Sequence, residues 1–138
     1  MLIDFHKHCH LHLKNKMKSV ENMNVFIQSH ELTLDLYKIT KIFPDEEKYG
    51  LISQMRRASS SICANLLEGS SRINTKEYRQ FVGIAKGSAG ELKYHLLLSR
   101  DLKYISNKEY EKFIIKTNDI SKMLNGLIKS LTTNINIK

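Results

Sequence analysis

The segment from Asn74 to Asp101 constrains the fold most, because it combines an apolar stripe with a regular row of charges. At about 100° per residue, eight positions in and just after it fall on one side of a helix: Tyr78, Phe81, Ala85, Ser88, Leu92, Leu96, Ser99 and Leu102. Basic residues recur at every seventh position on the side predicted to lie opposite: Arg72, Arg79, Lys86, Lys93 and Arg100. A helix drifts by only about 20° per heptad, so these five cations, the basic row, are predicted to form a line roughly 40 Å long. Such a helix is typical of a binding protein rather than an enzyme.

The size and charge of the chain limit its class. A chain of 138 residues, 41% of them hydrophobic, can bury one core, so we expect one domain. No apolar run approaches the roughly 18 residues of a membrane span, and the N-terminal residues lack the apolar centre of a secretory signal. These features predict a cytoplasmic protein without membrane contact. The net charge of +8 favours anionic partners, nucleic acid above all, although surplus lysine also serves solubility alone.

Three more amphipathic patterns accompany this helix. The four predicted helices cover residues 24–43, 51–68, 74–102 and 106–131. Pro44 ends the first and Gly69 the second, whereas Asn74 or Thr75 caps the third and Ser106 caps the fourth. Short connections predict an all-α fold, an antiparallel up-down-up-down four-helix bundle. We divide the chain into a flexible His-rich leader (1–23), the bundle domain (24–131) and a frayed tail (132–138).

Small residues recur in the second and third helices. The second carries the run 58–61, Ala-Ser-Ser-Ser, and the third carries Gly83, Gly87 and Gly90. A glycine inside a helix costs about 1 kcal/mol relative to alanine. We therefore expect these three glycines to allow close packing of the third helix against the second.

Several polar residues are predicted to connect the same two helices. Five follow one side of the second helix: Gln54, Ser61, Asn65, Glu68 and Arg72. Their expected role is a solvated face or hydrogen bonds between helices, so we assign Asn65 and Glu68 structural roles. Glu77 and Glu91 lie at the edges of the apolar stripe, where a partly buried carboxylate needs a cationic or hydrogen-bonding partner. We predict at least one ion pair to them from Arg56 or Arg57.

Catalytic and metal-binding patterns are weak. Four histidines alternate around Cys9: His6, His8, His10 and His12. This spacing puts them on one face of a strand, so we expect no metal site, and the alternative of a transition-metal site would require ordered metal. His95 stands four residues after Glu91, which is not the Glu-x-x-His spacing of di-iron bundles. Cys63 would need His95 as its base, but its apolar side of the helix is typical of a buried thiol. We predict no catalytic residue and no cofactor.

The sequence of the second helix also resembles the pattern of a known protein family. The 23S ribosomal RNA intervening-sequence proteins share the pattern YGL-x-x-Q-x-RR-A-x-x-S-I-x-x-N-x-x-EG. It is met here by Tyr49, Gly50, Leu51, Gln54, Arg56, Arg57, Ala58, Ser61, Ile62, Asn65, Glu68 and Gly69. The later pattern of the family is met by Lys76, Glu77, Tyr78, Gly87, Ser88, Ala89, Glu91 and Leu92. The likeness covers roughly Asn24 to Leu131, with Phe26 in place of the usual Trp and Cys63 in place of a frequent Pro.

The resemblance implies an up-down bundle that assembles into a ring, typically a pentamer. Accessory proteins of diversity-generating retroelements are similar, and their basic barrels bind nucleic acid and a reverse transcriptase. The resemblance supplies no biochemical activity for this branch.

The residues and the resemblance together predict a non-catalytic, oligomeric bundle that binds nucleic acid, RNA in preference to DNA. We expect the basic row to contact phosphates, with Arg56 and Arg57 divided between structure and binding. The alternative is a protein–protein scaffold or accessory subunit, whose basic row faces an acidic protein partner or only maintains solubility.

Overall fold

The computed structural model describes residues 20–137, and within this range it contains four α-helices and no β-strand. The helices are α1 (Asn24–Ile39), α2 (Leu51–Ser70), α3 (Thr75–Asp101) and α4 (Asn107–Ile137). Two short 3-10 segments, Thr40–Ile42 and Asp45–Glu47, lie between α1 and α2. The prediction of an all-α fold with four helices is confirmed.

Each helix packs mainly against two others, because successive helices are neighbours and α1 also contacts α4. Contacts between α2 and α3 join opposite ends of the two helices. Near the start of α2, Met55 accepts a hydrogen bond from Ser99 at the end of α3 (3.4 Å). At the end of α2, Gly69 lies against Tyr78 at the start of α3. This is the order of contacts expected for helices that run in opposite directions in a bundle.

A single core fills the space between the helices. Its largest fully buried apolar side chains come from all four: Leu32, Leu36, Met55, Ile62, Leu66, Val82, Leu92, Leu96, Ile120 and Leu124. On α3, Ala85 and Ser99 are also buried, as the stripe predicts. Leu102 is instead 46% exposed, because it follows the last turn of α3. Ala89, outside the predicted stripe, is fully buried.

Capping side chains define two helix starts: Asn74, one of the two predicted candidates, caps α3, and Ser106 caps α4 as predicted. The Asn74 side chain accepts a hydrogen bond from the backbone N–H of Glu77 (2.8 Å) at the start of α3. Before α4, the N–H of Glu109 donates to Ser106 Oγ (3.1 Å), and the N–H of Ser106 donates to the Glu109 carboxylate (2.9 Å). This reciprocal pair satisfies two backbone donors that have no partner inside the helix.

Other predicted boundaries differ from the structure. The α-helix of α1 ends at Ile39 and tightens into a 3-10 turn before Phe43. Gly69 does not end α2 but lies inside it, buried against α3. α4 continues to Ile137, past the predicted end at residue 131. Val20 is only 4% exposed, so core packing begins inside the segment predicted as leader. Residues 1–19, with the four alternating histidines, and residue 138 lie outside the described residues.

The prediction for the three glycines of α3 is wrong. Gly83, Gly87 and Gly90 are exposed, and a Cβ added at any of them would meet no atom within 4 Å. The reason is angular, since they lie on the side of α3 opposite the buried stripe. Close contact between α2 and α3 occurs at Gly69 instead, where an added Cβ would lie 2.7 Å from Phe81 Cβ.

Candidate nucleic-acid interface

From Arg79 to Arg100, the basic row lies along the flank of α3 that faces α4, rather than opposite the buried side. Arg79 Nε donates a hydrogen bond to Thr132 Oγ1 of α4 (2.7 Å). The Arg100 guanidinium lies 4.4 Å from the centre of the Tyr110 ring, also on α4. The predicted position was wrong because Val82 is fully buried, which brings the centre of the buried face closer to the row. The row therefore borders the groove between α3 and α4.

The two outer members of the row are paired with carboxylates. Arg72 belongs to the connection before α3, and its Nη2 lies 2.9 Å from Glu68 Oε1. Its guanidinium also lies 4.7 Å from the centre of the Phe81 ring. Arg100 Nε lies 3.1 Å from Asp101 Oδ1. The helical part of the row thus runs from Arg79 to Arg100, about 32 Å at the rise of an α-helix.

The three central members of the row lack such a partner. Among the described residues, Arg79, Lys86 and Lys93 form no ion pair with a carboxylate. Arg79 and Lys86 are exposed, and Lys93 is half-buried. Heptad spacing separates successive members by about 10 Å along one flank. Their positive fields therefore add over a continuous surface.

Arg57 forms the predicted ion pair between α2 and α3. Its Nη2 lies 2.8 Å from Glu91 Oε1, and both side chains remain partly exposed. The same nitrogen donates a hydrogen bond to Gln54 (2.9 Å), and His95 Nε2 lies 3.2 Å from the same Glu91 oxygen. The prediction of at least one such pair is confirmed. Arg57 therefore has a structural role on the flank of α3 away from α4.

Arg56 instead joins α2 to α1. Its Nε donates a hydrogen bond to Thr40 Oγ1 (3.0 Å), and its Nη2 donates to the backbone oxygen of Tyr37 (3.2 Å). The guanidinium also lies 4.6 Å from the centre of the Tyr37 ring. Since these contacts use two donors and one face of the side chain, the main role of Arg56 is helix packing.

The polar side chains of α2 form hydrogen bonds within the α2–α3 pair. The hydroxyls of Ser61 and Ser88 lie 2.9 Å apart across the two helices. Asn65 Nδ2 donates to the backbone oxygen of Ser61 (2.8 Å) and to its hydroxyl (2.9 Å). Glu68, near the end of α2, forms an ion pair with Arg72. Of the two roles expected for these residues, hydrogen bonding between helices applies at Ser61.

Cys63 and His95 do not form a nucleophile–base pair. Cys63 Sγ donates toward the backbone oxygen of Phe26 on α1 (3.5 Å), whereas His95 contacts Glu91 on the other side of α2. Burial raises the pKa of Cys63 to about 11, so the thiol stays protonated at neutral pH and is a poor nucleophile.

Residues 20–137 contain no group of three or more histidine, cysteine, aspartate or glutamate side chains suited to hold a metal ion. In the same range, every helix is too short or too polar to cross a bilayer.

The sequence pattern does not identify the residues of α4 that meet the basic row. Thr132 falls in the segment predicted to fray, and no pattern in the sequence relates Tyr110 to Arg100. The missed signal is that no proline follows Leu131 and the helical period continues, so α4 can extend to meet Arg79.

Comparisons with known proteins agree with this fold. The sequence model of the 23S rRNA-intervening sequence protein family matches residues 21–126. A solved structure from the S23 ribosomal protein family of Bacteroides thetaiotaomicron, a protein with unknown function, is 27% identical with a TM-score of 0.71. The alignment covers 76% of this chain and 95% of that chain. No match was found among curated proteins. The chain therefore belongs to the 23S rRNA-intervening sequence protein family.

Proposed function

We propose that this protein is a cytoplasmic, non-catalytic RNA-binding protein that holds phosphates with Arg79, Lys86 and Lys93. The observation that carries the proposal is the row of three cations on one flank of α3 without ion pairs among the described residues. Cations in such a row release counterions from a nucleic acid when they neutralise its phosphates. Arg72 and Arg100 contribute less, because Glu68 and Asp101 offset part of their charge.

RNA rather than DNA is the proposed partner. The family name refers to sequences that interrupt 23S ribosomal RNA, which supports a partner of this type. Contacts to phosphates position a nucleic acid without reading its sequence. Binding through the row should therefore depend strongly on salt and weakly on sequence.

We further propose that copies of the chain assemble into a homo-oligomer, a pentameric ring as the family resemblance implies. The outward face of α3 supports this, since Gly83, Gly87 and Gly90 leave the helix backbone accessible. Beside them, Ile84 is 52% exposed and Tyr94 is 60% exposed. A ring would repeat the basic row in every copy and strengthen its field. The same face is the observation that favours the second candidate function, a protein–protein scaffold.

Charge reversal tests the function of the row. The test variant carries three substitutions in the row: Arg79→Glu, Lys86→Glu and Lys93→Glu. The control variant reverses three lysines that are exposed on other surfaces: Lys38→Glu, Lys41→Glu and Lys108→Glu. Both variants lower the net charge equally, so a difference between them reports the position of the charges. Affinity is measured by filter binding with a ribosomal RNA fragment, and the assembly state by sedimentation.

RNA binding through the row predicts that the test variant loses most of its affinity with its assembly unchanged. The control variant should retain affinity close to that of the wild type. If both variants lost RNA affinity equally, net charge alone would explain the loss. That result would contradict binding at the basic row. Unaltered RNA binding by the test variant would reject the proposal. The protein–protein scaffold would then be the remaining candidate function.

A further inference from the structure

The contacts between α3 and α4 fix the register of the basic row against α4. Arg79 contacts Thr132 near the end of α4, and Arg100 contacts Tyr110 near its start. Because the two helices run in opposite directions, one heptad forward along α3 corresponds to one heptad back along α4. Lys86 therefore lies at the level of residue 125, and Lys93 at the level of residue 118.

Asparagines occupy both of these positions on α4. Asn118, Asn125 and Thr132 are spaced by seven, so all three lie on the side of α4 that faces the row. Asn118 and Asn125 are half-buried. Within residues 20–137, neither carboxamide forms a hydrogen bond with a protein side chain or backbone group. Each therefore has two donors and one acceptor available.

Lysines border these asparagines on the solvent side. Lys122 and Lys129 are exposed and follow the two asparagines by four residues, which places each one turn farther along the same side of α4. The carboxylate of Asp119 is about 100° around the helix from Asn118. The groove thus has cations on both rims beside the two half-buried asparagines, and the carboxylate of Glu111, seven residues before Asn118, lies at its Arg100 end.

We propose that the groove between α3 and α4 binds an unpaired stretch of RNA, with bases contacting Asn118 and Asn125. Phosphates lie along Arg79, Lys86 and Lys93, so the inference rests on the proposed function and adds the second wall of the site. A carboxamide pairs well with the donor and acceptor edges of a base. Such contacts give the site a preference among base sequences that the cations alone do not supply.

The shape of the groove favours an unpaired strand over a duplex. Packed helices lie about 8–10 Å apart, so the floor between them is narrow. The major groove of an A-form duplex is too deep and narrow for side chains to read, and its shallow minor groove is recognised mostly by shape and by contacts to phosphates and 2′-hydroxyls. A half-buried asparagine can therefore reach the splayed bases of a loop but not those of a duplex.

Removing the amides tests this inference separately from the cations. The test variant is Asn118→Leu with Asn125→Leu, which keeps side-chain size and every charge of the row. Asn134→Leu, at an exposed position elsewhere on α4, is the matched control. The probes are an RNA hairpin with an unpaired loop and a fully paired RNA duplex with the same number of phosphates. Affinity is measured by fluorescence anisotropy over a range of salt concentrations, and circular dichroism checks the helix content.

The wild type should prefer the hairpin to the duplex. The double leucine variant should lose about tenfold or more in affinity for the hairpin, as expected for lost base contacts, with its salt dependence unchanged. The Asn134→Leu control should bind as the wild type does. If the double variant loses helix content, the single variant Asn125→Leu is compared with the wild type instead. Its affinity for the hairpin should also fall.

Two results would overturn the inference while leaving the proposed function intact. One is equal affinity of the wild type for hairpin and duplex. The other is unchanged hairpin affinity in the leucine variants when charge reversal of the row still abolishes binding. Retention of binding after charge reversal would instead reject the proposed function itself.

Discussion

Replacing Gly69 by alanine tests the packing of α2 against α3. An added Cβ would lie 2.7 Å from Phe81 Cβ and 2.9 Å from Tyr78 Cδ2. Phe81 Cβ is bonded to the backbone, so rotation of the side chain cannot move it away. The two helices would have to separate locally by several tenths of an ångström, which disturbs the contacts around the site.

The expected magnitude follows from two opposing effects. Overpacking of this kind costs about 1–3 kcal/mol of unfolding free energy, whereas alanine in place of glycine inside a helix restores about 1 kcal/mol. Gly126 of α4 is the matched control, because a Cβ there would meet no atom within 4 Å. Gly126→Ala should therefore stabilise the fold by about 0.5–1 kcal/mol. Gly69→Ala should be less stable than this control by about 1–3 kcal/mol.

Urea denaturation followed by far-ultraviolet circular dichroism measures this difference. Equal slopes against urea would show that the two variants expose similar surface on unfolding, so their midpoints can be compared directly. In thermal unfolding the same difference is on the order of 5–10 °C. A Gly69→Ala variant as stable as Gly126→Ala would contradict the close approach of α2 and α3.

Three further predictions concern other contacts of the bundle. Ser106→Ala should lower the unfolding free energy by about 1 kcal/mol, because it removes the cap of α4; denaturant titration against wild type checks this. A double-mutant cycle of Arg57→Ala and Glu91→Ala should give a coupling of about 0.2–1 kcal/mol, since the pair is partly exposed; a coupling near zero in the same titration would contradict it. Burial raises the pKa of Cys63 to about 11 from 9.0, so iodoacetamide should alkylate it about 100-fold more slowly in the folded protein than in urea at the same pH.

The features of the fold that the sequence predicts correctly are those set by local chemistry. Asn74 and Ser106 cap their helices because a short polar side chain can accept from the first free backbone N–H groups. Apolar periodicity correctly identifies Leu92 and Leu96 as core residues. Gly69 was misread because a glycine near the end of a helical pattern can end the helix or admit a neighbouring helix. Only the position of α3 distinguishes these two roles.

The candidate site depends on geometry that one helix cannot encode. Heptad spacing identifies Arg79, Lys86 and Lys93 as a row, but not the flank of α3 on which they lie. The burial of Val82 and the contact of Arg79 with Thr132 show which flank of α3 carries the row. The register between two helices depends on packing over their whole length, so the residues of α4 opposite the row were not predicted.

The salt dependence of RNA affinity tests most directly whether the basic row binds phosphates. Neutralising three phosphates of an unpaired strand predicts a slope of about −2 for the logarithm of the association constant against the logarithm of salt concentration. The variant with Arg79, Lys86 and Lys93 reversed should lose this dependence together with its affinity. A wild-type affinity that stays constant from low to physiological salt would contradict phosphate binding by the row.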